Sequence, residues 1–384
     1  MGIFFLHAVV MTNWYPRIPD VQAHLGVGPG DLSLGLLGTP VGTLIALPFA
    51  GRLIHRLSAR SVIRAAFPFY CLAFLLPGWA WSVPSLFASL LLIGMAQPVV
   101  DVAMNVEADR IERDGGRRIM NTCHGFWSAG SMVGGVSGAT FAGWGVGVPW
   151  HYMVIAAIGV PVSLLLANAL PVTARVHRPD EMPPPWIALP TKALLGVCIF
   201  AFGMLLVEGS ALDWSGSFLQ KVIGVSPAAT GIGFGAFALF MAGGRFMGDR
   251  MSERYGPVLV ARTCAVICLF GMIVLATAGS LPIAVAGLAA AGLGVSVAAP
   301  LAVSAAAGRR GRPAAVNVAA LSLISFGGFL VEPPLVGFVA EYGGLRWGLA
   351  ATIPAIIASI LLAGHVRRGP VGPVPPSPLP NLAA

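Results

Sequence analysis

Apolar residues occur in twelve long runs along the chain, separated by short polar or proline-containing segments. Each run is close to the roughly 20 apolar residues that an α-helix needs to cross a bilayer. The pattern therefore predicts an all-α integral membrane protein with twelve transmembrane helices. The runs are 2–23, 32–54, 62–82, 84–108, 119–142, 150–170, 191–219, 227–248, 257–279, 281–306, 314–340 and 346–366.

The composition agrees with this pattern. Of the 384 residues, 57% are hydrophobic and only 10% are charged, whereas about 25% of the residues of a soluble domain are charged. This deficit excludes a soluble globular protein. No small-residue cleavage site follows a charged start, so the first run is predicted to be a retained helix and not a signal peptide.

Positive charges lie at alternate loops. The formal net charge is +8, but all Lys and Arg residues except Arg17, Lys221 and Arg346 fall in or beside every second loop. This is the positive-inside distribution, which places both termini in the cytoplasm. The excess of basic residues therefore reflects topology in a bacterial inner membrane, and it requires no nucleic-acid partner.

The second half of the chain repeats features of the first. Asn13-Trp14 corresponds to Asp213-Trp214. The repeat predicts two six-helix bundles, 1–171 and 191–366, joined by a cytoplasmic linker, 172–190. A proline-rich tail, 367–384, is predicted to be disordered in the cytoplasm. Parallel repeats of this kind place the substrate between the halves near the middle of the membrane.

Polar residues inside the fourth and fifth runs form the strongest candidate site. Gln97, Asp101 and Asn105 recur every fourth residue, so they share one helical face. Across the turn between the runs, Asp101 matches His124 in depth, and Asn105 matches Asn121. We expect Asp101 and His124 to form one titrating unit that faces a central cavity, because intramembrane acids usually mark proton pathways. The alternative is a structural carboxylate held permanently by Asn121 or His124.

The seventh run adds Glu208 and Asp213. They are five residues apart, so we expect at most one of them to point straight into a cavity. Proton coupling is therefore assigned to Asp101, His124 and Glu208.

Polar or aromatic side chains inside the runs are the candidate substrate-binding residues. These are Asn13, Trp14, Arg17, Gln97, Asn105, Asn121, Trp127, Asp213, Trp214 and Glu332. Alternatives remain for several of them. The three Trp residues could instead face lipid, with Trp14 and Trp214 in the interfacial belt. Arg17 could pair with Asp20, and Glu332 could lie at the membrane edge.

A loop sequence carries a resemblance to a known family. Gly248-Asp249-Arg250, followed by Arg254 and Gly256, resembles the loop signature of the major facilitator superfamily. A weaker copy ends at Arg56, where His55 replaces the Asp. The strings at 101–105, 120–125 and 208–214 resemble the bacterial YbjJ-type branch, which is similar to the fucose-proton symporters.

The resemblance implies the major facilitator fold, with two pseudo-symmetric six-helix bundles that rock about a central site. It also implies a conformational latch of loop residues, Arg56, Asp249, Arg250 and Arg254. The basic residues among them could instead serve topology alone. Small residues at Gly130, Gly134 and Gly138 are expected to permit close helix packing.

The predicted function is proton-coupled secondary active transport of a small polar solute, with a sugar favoured by the resemblance. No catalytic motif is found in the sequence, so the protein is not expected to be an enzyme. The five Cys residues show no metal-ligand spacing and no nucleotide-binding loop is present, so neither metal nor cofactor is expected. The expected partners are the substrate, protons and lipid, with the chain a monomer. The alternatives are efflux of drugs or metabolites, a non-transporting sensor or receptor, and, more weakly, a membrane-embedded enzyme.

Overall fold

The computed structural model describes residues 1–115, 119–171, 189–309, 311–312 and 314–367. At positions 51, 55, 113, 121, 314 and 315 it describes the backbone alone. Most of the predicted linker and nearly all of the predicted tail therefore lie outside the described residues, as does the side chain of Asn121.

The first half contains six helices, some of them interrupted. They are α1 (Gly2–Thr12, the 3₁₀ turn Tyr15–Arg17 and Ile18–Leu25), α2 (Pro29–Leu36 and Gly38–Leu57), α3 (Ala59–Ala73 and Leu75–Gly78), α4 (Val83–Gly115), α5 (Met120–Gly143) and α6 (Val148–Asn168).

The second half repeats this arrangement within the described residues. Its helices are α7 (Lys192–Lys221), α8 (the 3₁₀ turn Pro227–Ala229 and Thr230–Tyr255), α9 (Pro257–Thr277), α10 (Leu281–Val295 and Ala298–Ala307), α11 (Ala314–Gly343) and α12 (Leu345–Ala350, Ile353–Leu362 and the 3₁₀ turn Ala363–Val366).

Ten of these helices are long and apolar enough to cross a membrane by length and composition. The other two are α1, which is broken in the middle, and α5, which carries many Gly and Ser residues. The fold is thus the twelve-helix fold that the apolar runs predict.

Several helices extend beyond their predicted ends. The run 84–108 becomes Val83–Gly115, and the run 227–248 continues to Tyr255. Charged residues end an apolar run, but they do not end a helix. In α4, for example, Arg110 forms ion pairs with Glu107 one turn before it and with Asp114 one turn after it, a spacing that supports a helix.

Matching helix pairs pack in each half. In the first half α1 packs on α5, α2 on α4 and α3 on α6. In the second half the equivalent pairs are α7 with α11, α8 with α10 and α9 with α12. The two bundles therefore have the same internal arrangement, as expected of a sequence repeat.

Glycines bring α5 close to α1. Side chains at Gly130 or Gly134 would collide with the α1 backbone near Phe5 and Val9. The close approach lets the Thr12 hydroxyl donate a hydrogen bond to the Ser131 carbonyl across the two helices, at 2.9 Å. The expected role of these small residues is confirmed.

The two halves are tied together at the end of the molecule opposite its arginine-rich loops. Here Lys221 Nζ donates to Gln22 Oε1 at 2.5 Å. The Gly30 amide donates to Glu341 Oε2 at 3.0 Å. Between the halves, a cavity extends from the middle of the molecule to Asp249 near the arginine-rich end.

Candidate functional site

The central cavity has a volume of about 690 Å³. Helices α1, α2, α4, α5, α7, α8, α10 and α11 contribute to its wall, so both halves line it. Ligand pockets for small molecules have volumes of about 300–1,000 Å³. The cavity is therefore large enough to enclose a small organic solute.

A break in α1 places aromatic side chains in the cavity. The α-helix ends at Thr12, and a 3₁₀ turn containing Pro16 follows, because proline cannot supply the backbone N–H that a continuous helix needs. Trp14 and Tyr15 line the cavity at this break. The Tyr15 ring also stacks on Phe234 of the other half, with centroids 5.8 Å apart. Sequence reasoning missed Tyr15, since an aromatic residue in an apolar run gives no sign of which face it occupies.

Asp101 lies on the cavity wall on α4, one turn from Gln97, which also lines the cavity. The Asn105 amide donates to the Asp101 carbonyl at 2.9 Å and to its Oδ1 at 3.4 Å. Asn105 itself is not part of the wall in this conformation. The geometry thus joins Asn105 to Asp101, whereas its predicted role is substrate binding.

His124 lines the same cavity, but it does not bond directly to Asp101. Neither a hydrogen bond nor an ion pair joins these two described side chains, and the His124 ring instead packs edge-on against Phe4, with centroids 5.4 Å apart. The sequence gives equal depth on two helices, but it does not fix the rotation of each helix. The direct pairing that the register predicts is therefore absent, although both groups face one cavity.

Glu208 faces the cavity from the second half, and it has a cationic partner. Arg245 Nη2 lies 3.8 Å from Glu208 Oε1, and Arg245 also lines the cavity. The sequence placed Arg245 at a basic loop. Because α8 continues to Tyr255, Arg245 lies more than two turns inside the helix.

Asp213 also lines the cavity, so both acids of α7 reach it. This corrects the expectation that at most one would do so. Five residues along a helix correspond to a rotation of about 140° between side chains. The cavity wall covers enough of the α7 circumference to include both positions.

Two further candidates, Trp214 of α7 and Glu332 of α11, lie behind the cavity wall. Trp214 is fully buried and Glu332 is 1% exposed, and neither lines the cavity. Both side chains are enclosed by protein, so neither lies in the cavity wall or on the lipid-facing surface. They lie where α7 packs on α11. The sequence does not show which face of a helix packs on a neighbour and which faces lipid.

Asn13 and Arg17 also lie away from the cavity, in a buried polar network of the first half. Arg17 Nε contacts Asp20 Oδ2 at 2.7 Å, which confirms the expected local pairing. Its Nη1 lies 3.4 Å from His151 Nδ1, and His151 Nε2 lies 2.9 Å from Asn13 Oδ1. Arg17 Nη2 donates to the Val146 carbonyl at 2.7 Å. This network fixes the broken part of α1 to α6 and to the loop before it.

The remaining candidates are Trp127 and the latch residues. Trp127 lies on α5 and lines the cavity. Asp249 lines it near the arginine-rich end, while Arg56, Arg250 and Arg254 are exposed. Arg254 lies over the Tyr255 ring, 5.2 Å from its centroid. None of these four described side chains forms an ion pair in this conformation.

Known proteins are similar to this chain in sequence or in fold. The chain is 32% identical over 365 residues to the uncharacterized transporter y4wD of Sinorhizobium fredii, which covers 93% of this chain and 96% of the relative. A crystal structure of the nucleoside transporter NupG has a TM-score of 0.78 at 13% identity, covering 95% of this chain and 97% of that one. The crystal structure of the E. coli fucose:proton symporter FucP has a TM-score of 0.61 at 16% identity, covering 95% and 97%.

The family profile matches over nearly the whole chain. It is that of the Major Facilitator Superfamily, and it matches residues 1–330 and 217–383. Together with the twelve-helix fold and the cavity between two matching halves, this match shows that the chain is a membrane transporter of the major facilitator superfamily, and not an enzyme.

Proposed function

We propose that this transporter couples the movement of a small polar, sugar-like solute to protons across a bacterial inner membrane. Membership of the superfamily supports transport through alternating access of one central cavity. The coupling ion, the solute class and the membrane are the proposal.

The observation that carries the proposal is the position of Asp101. Its carboxyl group faces the cavity, and its described side-chain partner is the neutral amide of Asn105. A structural intramembrane acid is normally paired with a cation, whereas an unpaired acid beside a water-accessible cavity marks a proton pathway. Glu208, which has Arg245 at 3.8 Å, provides the contrast within the same cavity.

Alternating access supplies the coupling. When the cavity opens to one side and then to the other, the hydration of Asp101 changes. Its affinity for a proton then differs between the two states, and a proton binding preferentially to one state shifts the equilibrium between them. His124 and Glu208 are secondary proton-coupling candidates, since they share the cavity without contacting Asp101 directly.

The cavity wall supports a polar ring-shaped solute. Gln97, Asp213 and Arg245 provide hydrogen-bonding groups, and Trp14 and Trp127 provide flat apolar surfaces. Sugars present hydroxyl groups at the edge and C–H groups on the face of the ring, which matches such a wall. The fold shared with a nucleoside transporter and a fucose:proton symporter agrees with this class.

The charge distribution supports the orientation. With the arginine-rich end in the cytoplasm, both termini are cytoplasmic and this conformation is open to the cytoplasm. Asp249, Arg250, Arg254 and Arg56 would then form their latch contacts only when the halves close on that side. One chain contains the whole cavity, so a monomer suffices.

Uptake into proteoliposomes tests the proposal. Purified protein is assayed with radiolabelled L-fucose, other monosaccharides and nucleosides, with and without an inwardly directed proton gradient. We expect one of these solutes to accumulate against its concentration gradient, and accumulation to stop when a protonophore is added. Equal uptake with and without the gradient would contradict proton coupling.

Efflux of amphipathic solutes is the second candidate. Phe326 and Phe329 of α11 add to the apolar part of the wall. The same liposomes assayed with an amphipathic cation distinguish the two, because an exporter would move the cation and none of the sugars.

A further inference from the structure

Glu332 is a buried acid that has no role in the cavity wall. It lies in α11 and is 1% exposed. Its Oε1 atom has no hydrogen-bond partner among the residues that the structure describes. Burying a carboxylate with an unpartnered oxygen is costly. Ser210 and Trp214 of α7 also contact the Glu332 carboxyl group, but Oε1 still lacks a donor, which a bound proton would supply.

The Glu332 side chain lies directly over a glycine of α7. A side chain at Gly209 would place its Cβ 3.2 Å from Glu332 Oε2 and 3.0 Å from Phe329. Asp213 follows four residues later, so it lies on the same face one turn away. Its carboxyl group is within hydrogen-bonding reach of Glu332. The missing side chain at position 209 thus makes room for two acids to meet.

No cation compensates this pair among the described residues. Arg245 is engaged with Glu208, and Arg346 at the start of α12 donates to the Ala276 carbonyl at 2.8 Å. Helices α2 and α10 also pack on α11, but no titratable side chain from them faces the pair. The nearby titratable group from another element is the phenol of Tyr15.

We propose that Asp213 and Glu332 share one proton and form a second proton-binding site, separate from Asp101. Two adjacent carboxylates without a cation cannot both be charged. A proton held between them leaves one negative charge and gives a buried oxygen its missing partner, in a charge-assisted hydrogen bond. Because Asp213 lines the cavity and Glu332 does not, the proton enters and leaves through Asp213.

The acid pair lies near a residue of the other half, so movement of the halves should change its surroundings. This consequence rests on the proposed function. Tyr15 belongs to the first half, and the acid pair belongs to the second. When the halves move, the position of the phenol and the hydration of the pair change together. The transporter would then carry one proton site in each half, with Asp101 as the other.

Infrared spectroscopy of the purified full chain at neutral pH tests the shared proton. A protonated carboxyl group gives its own C=O band, which carboxylates lack, and its shift in D₂O identifies it. The variants are Asp213→Asn, Glu332→Gln and the double variant. Glu341→Gln is the matched control, since this acid lies on the same helix and accepts from the Gly30 amide. Gel filtration establishes that each variant is folded.

We expect the double substitution to remove the C=O band of the pair, and each single substitution to shift or remove that same band, because a shared proton is held by both partners and not by either one alone. Glu341→Gln should retain the band. Two separate bands, one lost with each single substitution while the other stays unchanged, would mean two independent acids. A band that the double substitution leaves unchanged would mean two charged carboxylates, so either result overturns the proposal. If Glu332→Gln does not fold, a shift or loss of the band in Asp213→Asn with no change in Glu341→Gln still supports it, and an unchanged band in Asp213→Asn rejects it. The measurement needs no substrate, so it stands even if the uptake assay shows no proton coupling.

Discussion

Glu208 and Asp101 face one cavity from opposite halves, but their surroundings differ. Arg245 compensates the charge of Glu208 at 3.8 Å, with both side chains partly exposed to the cavity. Among the described side chains, the hydrogen-bond partner of Asp101 is the amide of Asn105. The Glu208–Arg245 pair is therefore suited to hold fixed charges, whereas Asp101 is suited to gain and lose a proton.

Replacement of Arg245 should affect transport more than replacement of an exposed arginine. Arg245→Gln leaves Glu208 without its counterion, and we expect kcat/KM for the transported solute to fall about tenfold, which corresponds to about 1.4 kcal/mol. The measurement is initial uptake into proteoliposomes. Arg64→Gln is the control, because this side chain is exposed on α3. Equal effects of the two substitutions would remove Arg245 from the site.

The sequence identifies part of this site and misses the rest for a physical reason. Asp101, Gln97 and Glu208 are recognisable because a polar group in an apolar run is costly and so calls for a function. Tyr15 and Phe326 carry no such free-energy cost, since an aromatic ring is found in contact with lipid, in a protein core or on a cavity wall. For Trp214 the sequence gives depth in the membrane but not helix rotation, and rotation decides whether a side chain faces lipid.

The contact between α2 and α4 depends on glycine. A Cβ atom at Gly94 would collide with the Thr39 backbone, and one at Gly42 would collide with the Leu91 backbone. The close approach also lets the Thr43 hydroxyl donate to the Gly94 carbonyl at 3.2 Å. Asp101 lies on α4, about two turns after Gly94, so the spacing of α2 and α4 affects its position in the wall.

Gly94→Ala should destabilise the protein, because the added methyl group must push two backbones apart. Such overpacking costs about 1–3 kcal/mol, and the thermal denaturation midpoint in detergent should fall measurably. Gly243→Ala is the matched control, since a Cβ there meets nothing within 4 Å and alanine favours a helix. A midpoint for Gly94→Ala equal to that of Gly243→Ala would contradict the close packing.

The helices were predictable in number and order, but their internal breaks and ends were not. Twelve apolar runs give twelve helices because the bilayer imposes a minimum apolar length. The break of α1 at Pro16 is different, because several other prolines lie inside helices that continue, such as Pro98 in α4. The end of α8 at Tyr255 could not be predicted from the apolar run, since a helix can continue into water beyond the last apolar residue.

Closure on one side is a property of the whole molecule. The contacts of Lys221 with Gln22 and of Glu341 with the Gly30 amide join the halves at the end opposite the arginine-rich loops. Both must break before the cavity can open on that side. They therefore stabilise the conformation described here relative to its alternative.

In the proposed orientation, weakening both contacts should expose the cavity from outside the cell. The reporter is Ser128→Cys on the cavity wall, labelled in whole cells with a membrane-impermeant thiol reagent. In the Lys221→Gln/Glu341→Gln background we expect labelling about tenfold faster, which corresponds to a shift of about 1.4 kcal/mol between the two conformations. Arg346→Gln is the control, because its hydrogen bond to the Ala276 carbonyl lies within the second half. Labelling as slow as in the control would show that these contacts do not hold the halves closed.

Asp101→Asn in proteoliposomes tests proton coupling most directly. For the solute identified in the uptake screen, two rates are measured: accumulation driven by an inward proton gradient, and exchange between equal concentrations inside and outside. We expect the substitution to abolish driven accumulation and to leave exchange largely intact, since asparagine preserves the shape of the wall but cannot release a proton. Driven accumulation that survives in Asp101→Asn and is lost in Glu208→Gln would contradict the account and transfer the coupling role to the second half.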